Sequence, residues 1–347
     1  MIKRLKNFFQ FLQFSSSADK YSGQINKWHA KKKFEHEQLS WPEQNQDLCN
    51  ELEDTYYQYF IGVNSLLNTQ LNTFEQNVIN SLEKALKQNY AFAEDIPRLP
   101  DVIPRLIHLF RDTNFTWKEV AHEIALDPVF LVGIVKIANS PAYNLQAEAD
   151  QLEHILVQLG LQEVKKVMMK VALKPILDVE GGYFLKHSGT KIWVHSIKSA
   201  EACASLANSY HEEVFNAYLV GLIHNLGQTI IVTKMNDAED FSVPRSLLFK
   251  EQLLDIAKQI SLIIAQSWDM DESIIDALNE QRYKNPAEIK SALGQILCEG
   301  SAVSKQHILV FENRWQITVD RAEDSTVDKT GNEFEEAYHK LDSIDFS

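Results

Sequence analysis

The sequence predicts an all-α protein. Three observations carry this. Apolar residues recur at intervals of three and four along nearly the whole chain, and no stretch alternates convincingly with period two. Glycine and proline are sparse, 12 and 9 of 347 residues, and that spacing leaves room for long helices. At this length the chain holds two domains, or one domain with extensions.

Taken in order, the opening "MIKRLKNFFQFLQFSSS" places a basic start beside Phe8, Phe9, Phe11, Leu12 and Phe14. Two Gln interrupt the apolar run and the cleavage-site pattern is poor, which argues against a signal peptide. The stretch suits a short amphipathic helix, packed on the protein itself or making peripheral membrane contact through residues 1–14. Residues 47–92 read as one or two polar helices. Leu67, Leu71, Phe74, Val78, Leu82 and Leu86 form a helical seam that must bury against something, most simply the rest of the chain. Three prolines in "EDIPRLPDVIPRL" then break any helix arriving from upstream.

Beyond that boundary the helix punctuation is dense. Thr116 and Glu119 form a capping box. Asp127-Pro128 is an N-cap followed by proline at the first helical position, and the helix it starts carries Leu131, Ile134, Val135 and Ala138 on one face. Asn139 and Ser140 fall at its end, where their side chains suit backbone satisfaction. Gly160 is a stop for the helix of "LEHILVQL". Lys166, Lys170 and Lys174, with Lys165 beside them, share a helix face that reads as a solvated side. "GGYFLKHSG" reads as a loop, without the spacing of a phosphate cradle. Trp193, Ile197, Ala200, Ala204 and Ala207 predict a helix with a small-residue face for close packing, and Leu253, Ala257, Ile260, Ile264 and Trp268 predict another. A further helix covers "SALGQILCEGSAVSK", and the acidic tail beyond Trp315 is expected to be mobile. The organisation expected is a helical N-terminal extension over 1–92, a multi-helix domain over 93–290, and a C-terminal helix with acidic tail over 291–347.

Composition excludes several functions. The longest apolar run, "AYLVGLI", is far too short to span a bilayer. Three widely spaced cysteines argue against a disulfide framework and fit a reducing, cytoplasmic setting. The net charge of −14 argues against nucleic acid as a partner. That charge is uneven: residues 1–36 carry eight basic residues and two acids, residues 37–95 ten acids and two bases, and residues 312–347 ten acids and four bases. A basic start of this kind docks on an acidic segment of its own chain or on an anionic surface. Cys203 and His195, eight residues apart on one helix, are too distant to form a nucleophile–base pair.

In order, "IPRLPDVIPRLIHLFRD", "IALDPVFLVGIVKIANSPAY", "ILVQLGLQEVKKV", "KIWVHSIKSAEACASLA" and "AYLVGLIHNLGQTII" make residues 93–285 resemble the HDOD family. The "LDP … IANSPAY" element weighs most, because generic HD hydrolases do not share it. The resemblance implies the fold of HD-type metal-dependent phosphohydrolases and a role as an output or interaction module in bacterial signal transduction. It also sets out an ancestral metal site: a first His, a His-Asp pair, and a later Asp. By resemblance His195 stands at the first position and His224 at the second, but Asn225 replaces the acid. An amide oxygen brings no negative charge and bridges metals poorly, so the site lacks the anion that offsets a divalent ion. No late Asp is evident. Glu280, in "ALNEQRYK", is the nearest carboxylate to where one would fall, and Asp255, Asp269 and Asp271 have no special context. His195, His224 and Asn225 are therefore expected to be remnant positions holding no metal, with no cofactor and no catalysis. The partner expected is a signalling protein, and a small anionic ligand is compatible with the remnant pocket. The alternative is a metal-dependent phosphohydrolase, or a nucleotide-binding protein, that still uses that site.

Overall fold

A computed structural model describes residues 46–87, 97–112, 114–140, 143–145, 151–178, 181–238, 242–283, 285–315 and 336–344. Among them no strand occurs, and the one β-type contact is an isolated parallel bridge between Leu67 and Ser246. None of the described helices is long and apolar enough to cross a membrane. The amphipathic start at residues 1–14 lies outside the described residues, as does the acidic stretch 316–335.

The helices are α1 (Gln46–Ile61), α2 (Thr73–Lys87), α3 (Val102–Arg111), α4 (Trp117–Ala125), α5 (Pro128–Ala138), α6 (Leu152–Leu177), α7 (Tyr183–Leu206), α8 (Val214–Ile223), α9 (Leu226–Asn236), α10 (Leu247–Ser267), α11 (Glu272–Glu280) and α12 (Ala292–Phe311). Their contacts divide the described residues into two units, one drawn from Pro100–Val171 and the other from Gln38–Leu99 and Ala172–Leu341.

In the first unit α3, α4 and α5 pack in sequence order. Local chemistry sets their limits. The Thr116 side chain accepts from the Glu119 N–H, and Glu119 returns a bond to the Thr116 N–H at 2.8 Å, the reciprocal box expected. Asp127 Oδ1 accepts from Val129 and Phe130 N–H at 3.0 and 3.1 Å, with Pro128 next in line. At the end of α5 it is the Ser140 carbonyl that takes the Tyr143 and Asn144 N–H groups, at 3.1 and 2.7 Å. Buried Ala138 and Ile155 pack with Val135, Leu145 and Leu159.

α6 is two helical segments joined at Gly160, whose φ of 75° and ψ of 165° lie where only glycine is comfortable. So Gly160 stops the first segment, as expected, and a second begins at once. A Cβ on Gly160 would meet nothing within 4 Å. Gly160→Ala is therefore a pure backbone test, and it is expected to cost roughly 1–3 kcal/mol of unfolding free energy in denaturant titration.

The lysine stripe of α6 is not a solvated face. Lys166 is buried and paired with Glu163 at 3.1 Å, Lys165, Lys170 and Lys174 are half-buried, and the Lys174 ammonium stands 5.7 Å from the Trp193 ring centroid. Lysine stems cover apolar surface while the heads keep polar company, so charge periodicity alone misjudged the side.

In the second unit α7 is the central element, in contact with α1, α8, α9 and α12. The "GGYFLKHSG" stretch is no loop, since α7 begins at Tyr183. No Ser, Thr, Asp or Asn precedes it. Asn236, at the end of α9, supplies the cap instead, its Oδ1 accepting the Phe184 N–H at 2.8 Å. The small-residue face predicted for α7 is real: Gly221 of α8 lies so close that a Cβ there would stand 2.6 Å from the Ser199 carbonyl oxygen.

The seam expected from Leu67 to Leu86 breaks. The helix starts only at Thr73, burying Phe74, Val78 and Leu82, while Leu67 bridges Ser246. The cause is Glu75, 1% exposed, whose carboxylate accepts from Asn72 N–H, Ser246 N–H and Ser246 Oγ, each at 2.9 Å. Three donors satisfy a buried carboxylate better than a continued helix would. The last described stretch, 336–344, is also packed rather than loose: Ala337 and Leu341 are buried, and the Leu341 carbonyl accepts from the fully buried Lys198 ammonium at 2.9 Å.

Candidate functional site

The three residues singled out by sequence come together in the second unit. His195 lies mid-way along α7 and is fully buried. His224 ends α8 and Asn225 begins α9, so the sharp turn between the two helices presents both to α7. Ser261 of α10 fastens that turn, accepting the Gly227 N–H at 2.8 Å and donating to the His224 carbonyl at 2.7 Å.

An asparagine at a helix start usually turns its side chain to the helix backbone. Asn225 makes no such bond. Its Nδ2 lies 2.8 Å from His195 Nδ1 and 3.3 Å from Ser196 Oγ. An amide nitrogen only donates, so His195 Nδ1 carries the lone pair and Nε2 the proton. That proton faces the Ser301 carbonyl at 3.5 Å. His224 uses Nδ1 to donate to the Gly221 carbonyl at 2.7 Å, which turns its Nε2 lone pair to Ser301 Oγ at 3.5 Å. The two rings stand edge to face, centroids 5.2 Å apart.

Four residues that sequence reasoning did not foresee complete the site. Tyr56 of α1 packs on His195 with ring centroids 4.7 Å apart. Lys305 of α12 lies 5.7 Å from the Tyr56 ring centroid and is paired with Glu53 of α1. Ser301 comes from α12 as well. The charges follow from this packing. Burial holds His195 well below the ordinary imidazole range, and the neighbouring His224 and Lys305 add to the effect. Burial likewise pulls His224 down to about 3. Burial alone would raise the Glu53 carboxyl, but Lys305, with Lys258 and Lys250 further off, brings it below its usual value. Both imidazoles are neutral at physiological pH.

These residues do not fit the metal that the resemblance implies. The one lone pair of His195 is aimed at the Asn225 amide, not at open space. Glu53 is committed to Lys305. Glu280 is spent as a cap for α12, accepting from Lys290 N–H, Ser291 N–H and Ser291 Oγ. Asp255 pairs with Arg282 at 3.4 Å, and Asp269 sits in a turn at positive φ. Among the described residues no three His, Cys, Asp or Glu side chains gather in a way that could hold a metal ion. Two neutral imidazoles beside lysines, with no unpaired anion, leave a divalent charge uncompensated. Cys203, buried with its Sγ 3.5 Å from the Ile296 carbonyl and its thiol pushed up by burial, is no nucleophile.

Comparison with known proteins agrees with this picture of the fold. The family model for the HDOD domain matches residues 96–283. A solved structure from Shewanella amazonensis SB2B, provisionally named a metal-dependent phosphohydrolase, is similar over 78% of this chain and 99% of its own, at 20% identity and a TM-score of 0.53. An HDOD domain protein of unknown function from Geobacter sulfurreducens is similar over 75% and 89%, at 18% identity and a TM-score of 0.49. No curated protein matches.

Proposed function

Because the chain belongs to the HDOD family, we propose that it is a non-catalytic regulatory module of bacterial signal transduction that acts by binding another protein. The observation that carries this reading is the Asn225–His195 bond at 2.8 Å. It replaces the carboxylate of an HD site with a donor and turns the first histidine inward. A buried, mutually satisfied polar group of this kind fixes the register of α7, α8 and α9, and the fold then serves as a rigid platform. The partner is a signalling protein, and a small anion at the remnant pocket is a secondary ligand. Membrane contact through residues 1–14 would add to this.

The test is direct. The full chain, purified without chelator and dialysed against manganese or magnesium, is expected to retain far less than one equivalent of either ion and to leave phosphomonoesters, phosphodiesters and nucleotides unhydrolysed. A stoichiometric ion, with turnover that collapses when His195 or His224 is replaced by Ala, would instead establish the hydrolase reading.

A further inference from the structure

A second cluster lies one turn before His195 on α7. The Lys191 Nζ is 2.7 Å from His187 Nε2 and 2.6 Å from the Tyr59 carbonyl oxygen at the end of α1. It also stands 4.2 Å from the centroid of the Tyr59 ring. The guanidinium of Arg314 lies against the same ring at 5.7 Å, and the Tyr59 hydroxyl reaches Glu312 at 3.5 Å. The simplest role for Lys191 is to satisfy the Tyr59 carbonyl. That role needs one hydrogen and no imidazole. His187, whose ring also hydrogen-bonds the Tyr59 backbone, is the second contact, and an amine beside an imidazole that can take its proton is the arrangement of a nucleophile and its base.

The electrostatics agree. Burial pulls the Lys191 ammonium down to about 8, with Arg314 pushing the same way and Glu312 opposing. Burial and the charge of Lys191 hold His187 below the ordinary imidazole value. A neutral Lys191 gives one hydrogen to Tyr59 and one to His187 and keeps its lone pair free. Lys191 is half-buried and His187 beside it is exposed, so the cluster borders solvent.

We propose that Lys191 is a self-acylating site that takes its acyl group from an acyl phosphate. The Nζ lone pair attacks the carbonyl carbon, and the new N–C bond forms as the C–O bond to phosphate breaks. Phosphate leaves with that electron pair, and the surplus proton on Nζ passes to His187 Nε2 and on to solvent. No oxidant or reductant is needed. Arg314 favours this donor, because its fixed charge stabilises a leaving phosphate and does little for a leaving thiolate. The product amide carries no charge. It ends the cation–π contact with Tyr59 and the attraction to Glu312, and so loosens the end of the same α1 whose Glu53 and Tyr56 close over the histidine pair.

The experiment incubates the full chain at pH 7.5 with acetyl phosphate, or with a small acetyl thioester, and follows each lysine by peptide mass mapping. Lys186, exposed on the same helix, is the internal control and requires no variant. Lys191 is expected to acetylate at least about tenfold faster than Lys186, since its amine lies 2.7 Å from a base that can take its proton. His187→Gln is expected to remove most of that advantage, and Arg314→Gln to slow the acetyl phosphate reaction but not the thioester one. Equal labelling of Lys186 and Lys191 would overturn the proposal. A thioester reaction that outpaces acetyl phosphate and ignores Arg314 would overturn the choice of donor.

Discussion

Replacement of Gly227 by alanine is expected to lower the unfolding free energy by more than about 3 kcal/mol, the upper end for overpacking, because the obstruction is backbone. A Cβ at this position would stand 1.9 Å from the Ala257 carbonyl oxygen and 2.8 Å from its carbon. Helix α9 can then keep its contact with α10 only by moving away. That movement stretches two hydrogen bonds at once, Gly227 N–H to Ser261 Oγ at 2.8 Å and Ser261 Oγ to the His224 carbonyl at 2.7 Å. Both hold the turn that carries His224 and Asn225. Denaturant titration should give a lowered midpoint, and the fluorescence of Trp193, two residues before His195 on α7, should report a disturbed core. Gly160→Ala, with the same added methyl and no clash, is the comparison. If Gly227→Ala proves no more costly than Gly160→Ala, the close approach of α9 and α10 is wrong.

Much of the fold was legible because helix limits are set by local chemistry. The Thr116–Glu119 box and the Asp127–Pro128 start involve residues three apart or fewer, and each stands where the sequence puts it. The small-residue face of α7 was legible for a related reason, since alanine at helical spacing has few uses other than close packing. The start of α7 was not legible: its cap is Asn236, 52 residues from Phe184 in sequence. The seam through Leu67 failed likewise, because Ser246 competes for that segment and Glu75 rewards the competition. At the site, the motif identified His195, His224 and Asn225, and a charge argument indicated what Asn225 removes. It could not reveal what fills the space. Glu53 and Tyr56 arrive on α1, and Ser301 and Lys305 on α12, both outside the matched 96–283 span. No spacing rule links them to the histidines, and only tertiary packing does.

That packing makes stability steeply sensitive to acid. In an unfolded chain both imidazoles titrate at the ordinary value of 6.5, whereas in the folded protein burial keeps His195 well below it and brings His224 to about 3. Below pH 6.5 the unfolded state therefore takes up protons that the folded state refuses. Stability is full above 6.5 and falls as the pH descends, a loss that for His224 ends only near 3. A histidine kept neutral contributes a slope approaching about 1.4 kcal/mol per pH unit, so His224 alone removes about 2 kcal/mol by pH 5, and His195 adds to the same loss. A domain with 5–15 kcal/mol in hand loses a large part of it over a range in which most carboxylates have yet to protonate. Unfolding measured at pH 7.5, 6 and 5 should show this fall. His195→Gln should start lower at pH 7.5 and decline about half as steeply, because one titrating group is gone. A slope that is flat down to pH 5, or one that His195→Gln leaves unchanged, would mean that the native rings take up protons as readily as those of the unfolded chain. The folded protein would then not keep His195 Nδ1 as a lone pair for the Asn225 amide, and the argument against a metal built on that bond would fall with it.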